Sequence, residues 1–314
     1  MEAARVVRER PEPALSDRPC IVVANRWAGA GKAHRLVGEV EQVIGRAPQA
    51  VIEPDLTSAF RQRLNDAVAS ASGYDRPLLV CVGGDGTLSL VFDALADPAA
   101  AVLAVVPCGS GNDLALMLGL ASRNVALTAL RDGVIQSIDY GTVNGRRFLN
   151  CVGIGLDAEV AGMAARIRER GVARGLSYYL AALRGLLMVK PVGAQIRTPA
   201  AEFRFEDLVM LTIGNGRWYG GGFRGAPEAV LDDGVLDCYA FRDVPGLFAR
   251  FALMQRIRAG THAREVNVSS LPADRLSVTF DREVAMHVDG EPARCTSADV
   301  TVVSRGARIL TPAR

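Results

Sequence analysis

The sequence predicts an α/β N-terminal domain on a mainly parallel sheet, followed by a β-rich, sandwich-like C-terminal domain. Three observations carry that expectation. From Cys20 to about Asp139, short β-branched runs alternate with segments of helical periodicity, joined by glycine turns. Beyond Asp139, apolar runs follow one another across turns, interrupted by two substantial helical stretches. The chain has 314 residues, enough to bury two separate cores.

Ile21 to Ala24 reads as the first strand, followed by a glycine-containing turn and a helix from about Ala33 to Ile44. Leu78 to Val82 is the second strand, ended by Gly83-Gly84-Asp85-Gly86-Thr87 and followed by a helix to Leu95. Val102 to Val106 is the third, ended by Pro107 and Gly109, with a helix from Asp113. In the second half, Phe148–Val152, Leu208–Ile213, Val235–Phe241, Arg275–Phe280 and Val284–Val288 read as strands. Helical stretches cover roughly 156–190 and 244–259. Residues 1–19 are expected to be a disordered lead-in, 20–140 the α/β domain and 141–299 the β-rich domain, with 300–314 a candidate to return to the first.

Composition narrows the function. With 36 Lys+Arg against 34 Asp+Glu, the net charge is only +2, too balanced for a dedicated nucleic-acid binder. The six cysteines form no C-x-x-C pair and no zinc spacing, so buried free thiols in a reducing cytosol are expected. His34, His262 and His287 show no ligand spacing and receive no role. Residues 1–19 are rich in Arg, Glu and Pro and lack the apolar core of a signal peptide, and no run reaches 18 uninterrupted apolar residues.

The chemistry gathers at the glycine turns, which fall at the carboxyl ends of strands, where α/β sheets bind ligands. In Gly83-Gly84-Asp85-Gly86-Thr87 the absence of side chains lets several N–H groups approach an anion at the start of a helix, and Thr87 offers a hydroxyl. Asp85 would repel a bare phosphate, so it suits a magnesium-bound water or a substrate proton. Gly109-Ser110-Gly111-Asn112-Asp113 repeats the logic, with Asp113 able to cap the next helix or to reach the site through water. Asn25 to Lys32 has the outline of a phosphate loop without the Walker spacing.

These three segments resemble, in order and spacing, the nucleotide-binding motifs of the diacylglycerol-kinase catalytic domain, a family that includes sphingosine, ceramide and bacterial lipid kinases. Asn150 to Ala158, Gly214-Asn215, Gly220 to Gly222 with Pro227, Asp232-Asp233-Gly234 and Asp289-Gly290-Glu291 resemble its later motifs. Arg26 and Ala28 depart from it, standing where proline and serine are usual. The resemblance implies a nucleotide cleft between the domains and an ATP- and Mg2+-dependent transfer to a lipid hydroxyl, diacylglycerol first. Sphingoid base, ceramide, phosphatidylglycerol, or a non-catalytic nucleotide-binding role are the alternatives. It further implies that Asn25, Ala28, Gly29, Thr57, Gly83 to Thr87 and Gly109 to Asp113 hold the nucleotide. Asp233, with the carbonyls of Val230 and Val235, would hold a structural magnesium. Glu291, Asp289 and Asp85 are the catalytic candidates, with Glu291 the first choice for base. A cytoplasmic protein peripherally associated with membrane is implied, and a homodimer is left open. Residues 161–190 mix apolar and basic positions that suit either an anionic leaflet or internal packing.

Overall fold

The computed structural model describes residues 14–26, 28, 33–71, 76–109, 111–172, 174–188, 190–220 and 222–313. Residues 1–13 of the expected lead-in therefore lie outside it, as do Gly29, Gly31, Lys32, Ser110 and Gly221.

The first layer runs β1 (Cys20–Ala24), α1 (Ala33–Ile44), β2 (Ala50–Ile52), α2 (Ser58–Ala71), β3 (Leu78–Gly83), α3 (Asp85–Ala94), β4 (Val102–Pro107), α4 (Asp113–Met117) and α5 (Arg123–Asp132). Strands β2, β1, β3 and β4 pair in that order, all parallel. Their side chains serve two cores by strict alternation. Ile21, Val23, Leu79, Cys81, Leu103 and Val105 pack with α2 and α3, while Val22, Val80, Val82 and Ala104 pack with α1. Burial on both faces explains why these strands read as unbroken apolar runs.

The second layer contains β5 (Val134–Val143), β6 (Arg146–Phe148), β7 (Cys151–Gly155), α6 (Leu156–Arg168), α7 (Arg174–Met188), β8 (Val192–Arg197), β9 (Glu202–Gly214), β10 (Asp237–Arg242), α8 (Leu247–Ala259), β11 (Val268–Ser270), β12 (Arg275–Val288) and β13 (Glu291–Thr311). Both β7 and β8 pair with β9 and with β12, at different stretches of those long strands. The sheet thereby folds over a core that includes Val152, Phe205, Leu211, Val278, Met286 and Val300. Helices α6, α7 and α8 cover another face through Val160, Ala181, Leu186, Leu253 and Met254.

Strand β13 joins the layers. Its first half pairs with β12, and its last residues pair in parallel with β4 at Arg308↔Val102 and Ile309↔Leu103. Between Val303 and Ala307 its register against β5 shifts, with Arg305 at φ 51°. Fully buried Asp139 pins this bulge, accepting from the N–H of Arg305 at 2.6 Å and from that of Gly234 at 2.6 Å.

Several elements differ from the sequence expectation. The strand expected over 148–152 breaks at Leu149 and Asn150, whose N–H groups turn to the Asp289 carboxylate. The helical stretch over 156–190 is two helices. The strands expected at 275–280 and 284–288 are one strand with a register shift. Strand β10 starts at Asp237 rather than Val235, whose N–H donates to Oδ1 of Asp233 at 3.0 Å.

Candidate active site

The glycine turns lock to one another at the ends of β3 and β4. Backbones of Gly84 and Gly109 pass so closely that a Cβ on Gly109 would stand 2.6 Å from the Cα of Gly84. Asn112, held at φ 59°, secures the crossing. Its Oδ1 accepts from the N–H of Gly109 (3.1 Å), its Nδ2 donates to the Gly109 carbonyl (2.8 Å), and its own N–H donates to Oδ2 of Asp85 (2.9 Å). Helix α3 begins from Gly84 with no side-chain cap, so the N–H groups of its first turn and its dipole face the crossing. A glycine-lined backbone at an uncapped helix N-terminus fits a phosphate group.

The first loop joins through Asn25, whose Nδ2 donates to Oγ1 of Thr87 at 3.2 Å and whose N–H donates to the Val82 carbonyl at 3.3 Å. Ala28 closes a turn back onto Asn25 through its N–H (2.9 Å). Thr57 immediately precedes α2, receiving the N–H of Phe60 at 3.3 Å and donating its own N–H to Asp55 at 2.7 Å. Asp113, at the first position of α4, is buried at the cleft wall.

The turn between β12 and β13 is a two-residue hairpin with Asp289 at φ 49° and Gly290 at φ 88°, the type I′ geometry that Asp-Gly favours. It sends its two carboxylates in different directions. Asp289 accepts three backbone N–H groups, from Leu149 (2.8 Å), Asn150 (3.0 Å) and Cys151 (2.8 Å). Burial pushes its carboxyl above the usual carboxylate range, and the three donors pull against that shift. Glu291 instead faces the first turn of α3: a Cβ added to Gly86 would lie 3.9 Å from its Oε1.

Behind the hairpin lies a buried polar cluster that sequence reasoning missed. Gly290 donates its N–H to Nδ1 of His287 (3.3 Å), and Nε2 of the same ring lies 3.4 Å from Oδ2 of Asp157. Tyr178 donates its hydroxyl to the other oxygen of Asp157 at 2.6 Å. Burial and then the Asp157 charge push the hydroxyls of Tyr178 and Tyr219 well above their usual range. Gly153 makes room for the pair, since a Cβ there would meet His287 Nε2 and Asp157 Oδ2 at 2.3 Å. Asp157 belongs to the Asn150–Ala158 motif, but His287 shows no ligand spacing, and nothing local joins the two, because they meet only through the pairing of β12 with β7.

These groups surround two cavities with a shared wall. A cleft is lined by Asp85, Asp113, Asn150, His287 and Asp289 from both layers. A second cavity is lined almost wholly by apolar side chains, among them Val160, Leu186, Phe223, Leu253 and Met254. Tyr178 and Tyr219 line both.

The expected magnesium turn at Val230, Asp233 and Val235 is an exposed turn, with Asp233 accepting the Val235 N–H. Among the described residues, no group of three or more His, Cys, Asp or Glu side chains is gathered for a metal. Yet Asp237 is pushed up to about 6 by burial and by the charges of Asp233 and Glu228, a repulsion that a cation would relieve. Carboxylate oxygen is the donor type that a hard cation takes.

Comparison with known proteins follows the same two layers. Residues 19–143 match the diacylglycerol kinase catalytic domain, and residues 150–311 match the YegS C-terminal NAD kinase beta sandwich-like domain. A diacylglycerol kinase of Mycobacterium tuberculosis is 31% identical over 307 residues, covering 95% of this chain and 93% of that protein. The Pseudomonas aeruginosa protein named "Probable lipid kinase YegS-like" is 40% identical over 171 residues, 54% of this chain and 55% of that relative's length. The crystal structure of a diacylglycerol kinase from Bacillus anthracis str. Sterne superposes with a TM-score of 0.74 at 20% identity, over 94% of this chain and 97% of that one, a likeness of fold.

Proposed function

Because the chain belongs to the diacylglycerol kinase family, we propose that it transfers the γ-phosphate of ATP to a lipid hydroxyl, with diacylglycerol the first substrate to try. One observation carries the proposal: the polar cleft lined by Asp85 and Asp113, the carboxylates of the two glycine turns, shares its Tyr178–Tyr219 wall with an apolar cavity. A substrate with an apolar chain can fill the cavity while its polar end reaches the cleft.

The residues divide the work as follows. The crossing of Gly84 and Gly109 and the N-terminus of α3 hold the triphosphate, with Asn25 and Thr87 beside it. Asp289 spends its charge on the 149–151 backbone and so fixes the hairpin. That leaves Glu291, poised over the first turn of α3, to accept the proton of the attacking hydroxyl. Magnesium, when bound, would neutralise phosphate charge, and Asp85 and Asp113 would hold its waters; Asp233, Val230 and Val235 would hold a second, structural ion.

The test is transfer of labelled γ-phosphate from ATP, with magnesium, to a panel of diacylglycerol, phosphatidylglycerol, ceramide and sphingoid base. Labelled diacylglycerol product is expected. Nucleotide binding with no labelled lipid of any class would instead favour a nucleotide-binding regulator.

A further inference from the structure

Helix α7 is apolar on two sides. Tyr178, Ala181, Ala182 and Leu186 face the core, whereas Leu176, Leu180 and Leu187 are exposed at helical spacing, Leu187 to 70%. The N-terminal half of α8 continues that apolar surface. Leu247, Phe248 and Phe251 are exposed, Phe248 to 93%. Arg250 joins the two helices, donating through Nη1 to the Leu186 carbonyl at 3.0 Å. Leu187, Met188, Leu247, Phe248 and Phe251 therefore form one corner of the molecule, an apolar surface that no element covers among the described residues.

Charge points to what covers it. Helices α7 and α8 contain five arginines and no Asp or Glu, so the elements that bear the corner carry positive charge alone. Arg250 and Arg256 pair with Asp243 and Glu265. Arg184 and Arg258 are exposed, and Lys190 and Arg282 follow at the end of α7. A second copy of the chain docked here would meet like charge with like charge. An anionic bilayer answers both features, with aromatic and leucine side chains in the acyl boundary and guanidinium groups among the headgroups.

We propose that the corner formed by the end of α7 and the start of α8 docks the protein on an anionic lipid surface by inserting Leu187, Met188, Leu247, Phe248 and Phe251. The inner faces of the same helices line the apolar cavity through Ala182, Leu186, Leu253 and Met254, so docking sets that cavity beside the bilayer. The inference takes its purpose from the lipid-kinase reading, and its measurement requires neither ATP nor turnover.

Flotation of the full chain with phosphatidylcholine vesicles, with and without phosphatidylglycerol, tests it. The full chain should float with the anionic vesicles, less with neutral ones, and less as salt is raised. Leu247→Ser/Phe248→Ser should lower partition by about tenfold or more. Val51→Ser, exposed on edge strand β2, should leave it unchanged, and matched thermal melts show that all variants fold. Absence of flotation, or unchanged flotation of the double variant, overturns the proposal. So does a dimer in sedimentation velocity that the double variant dissolves, because the corner then belongs to a second copy. Flotation without transfer to any lipid keeps the docking corner and removes the kinase reading; transfer to a dispersed short-chain acceptor without flotation does the reverse.

Discussion

The hydroxyl of Tyr178 donates to Oδ1 of Asp157 at 2.6 Å, and this bond lies in the partition between the polar cleft and the apolar cavity. Asp157 also faces His287, whose other nitrogen receives the N–H of Gly290 in the Asp289-Gly290 hairpin. The partition and the hairpin that presents Glu291 are thus one connected network.

Tyr178→Phe removes one donor from a buried carboxylate and should cost about 1–3 kcal/mol of stability. Asp157→Ala leaves the tyrosine hydroxyl without its acceptor and opens space beside the imidazole, and should cost more, about 2–4 kcal/mol. Denaturant titrations of the two variants check the order. An Asp157→Ala loss no larger than that of Tyr178→Phe would mean that His287 gains nothing from the pair.

Glu291→Gln keeps the shape of the hairpin and removes the proton acceptor. Turnover should fall by about 10²–10⁴ while nucleotide affinity stays within about twofold. Asp85→Asn should act differently, since Asp85 accepts the Asn112 N–H that locks the two glycine turns. Nucleotide affinity should weaken along with turnover. Substantial turnover in Glu291→Gln would move the base to Asp85.

Gly109→Ala places a methyl group 2.6 Å from the Cα of Gly84, backbone against backbone. The crossing must open, and ATP affinity should drop by about tenfold or more. Calorimetric titration with ATP reads this directly; unchanged affinity would show that the phosphates lie elsewhere.

His262 is fully buried between Tyr239 and Phe241, with ring centroids at 5.0 and 5.2 Å. Burial drives its proton affinity down to about 4, with backbone groups of Arg256 and Gly225 pulling the other way. Between pH 6.5 and about 4 the unfolded chain holds the proton and the folded chain does not, so stability should fall as pH drops through that window. The loss should approach about 3 kcal/mol below it. His262→Gln should flatten this part of the stability profile, and a profile identical to the parent would locate the acid sensitivity elsewhere.

The legible parts of the sequence were those whose signal is local. The parallel strands around Val22, Val80 and Ala104 are apolar on both faces, and the glycine turns sit directly at their ends. Short elements such as β2 and α5 escaped notice, because Ala50–Ile52 is only three residues long and Arg123–Asp132 carries a mixed surface. The Asp157–His287 pair could not be seen, because the two residues stand 130 positions apart in the chain and only strand pairing brings them together. Asp289 was legible as a carboxylate in a hairpin, but its three partners at 149–151 depend on a strand break that apolar periodicity does not show.

Strand β13 has a consequence for dissecting the molecule. The α/β layer takes its fifth strand from residues 308–309 and their neighbours, at the far end of the strand that also closes the β-rich layer. A fragment cut between residues 143 and 150, where the two family matches divide, would leave the edge of β4 bare and ready to pair with another chain. Exchanging nucleotide halves between relatives therefore means transplanting a C-terminal tail as well, as a graft of two pieces rather than one.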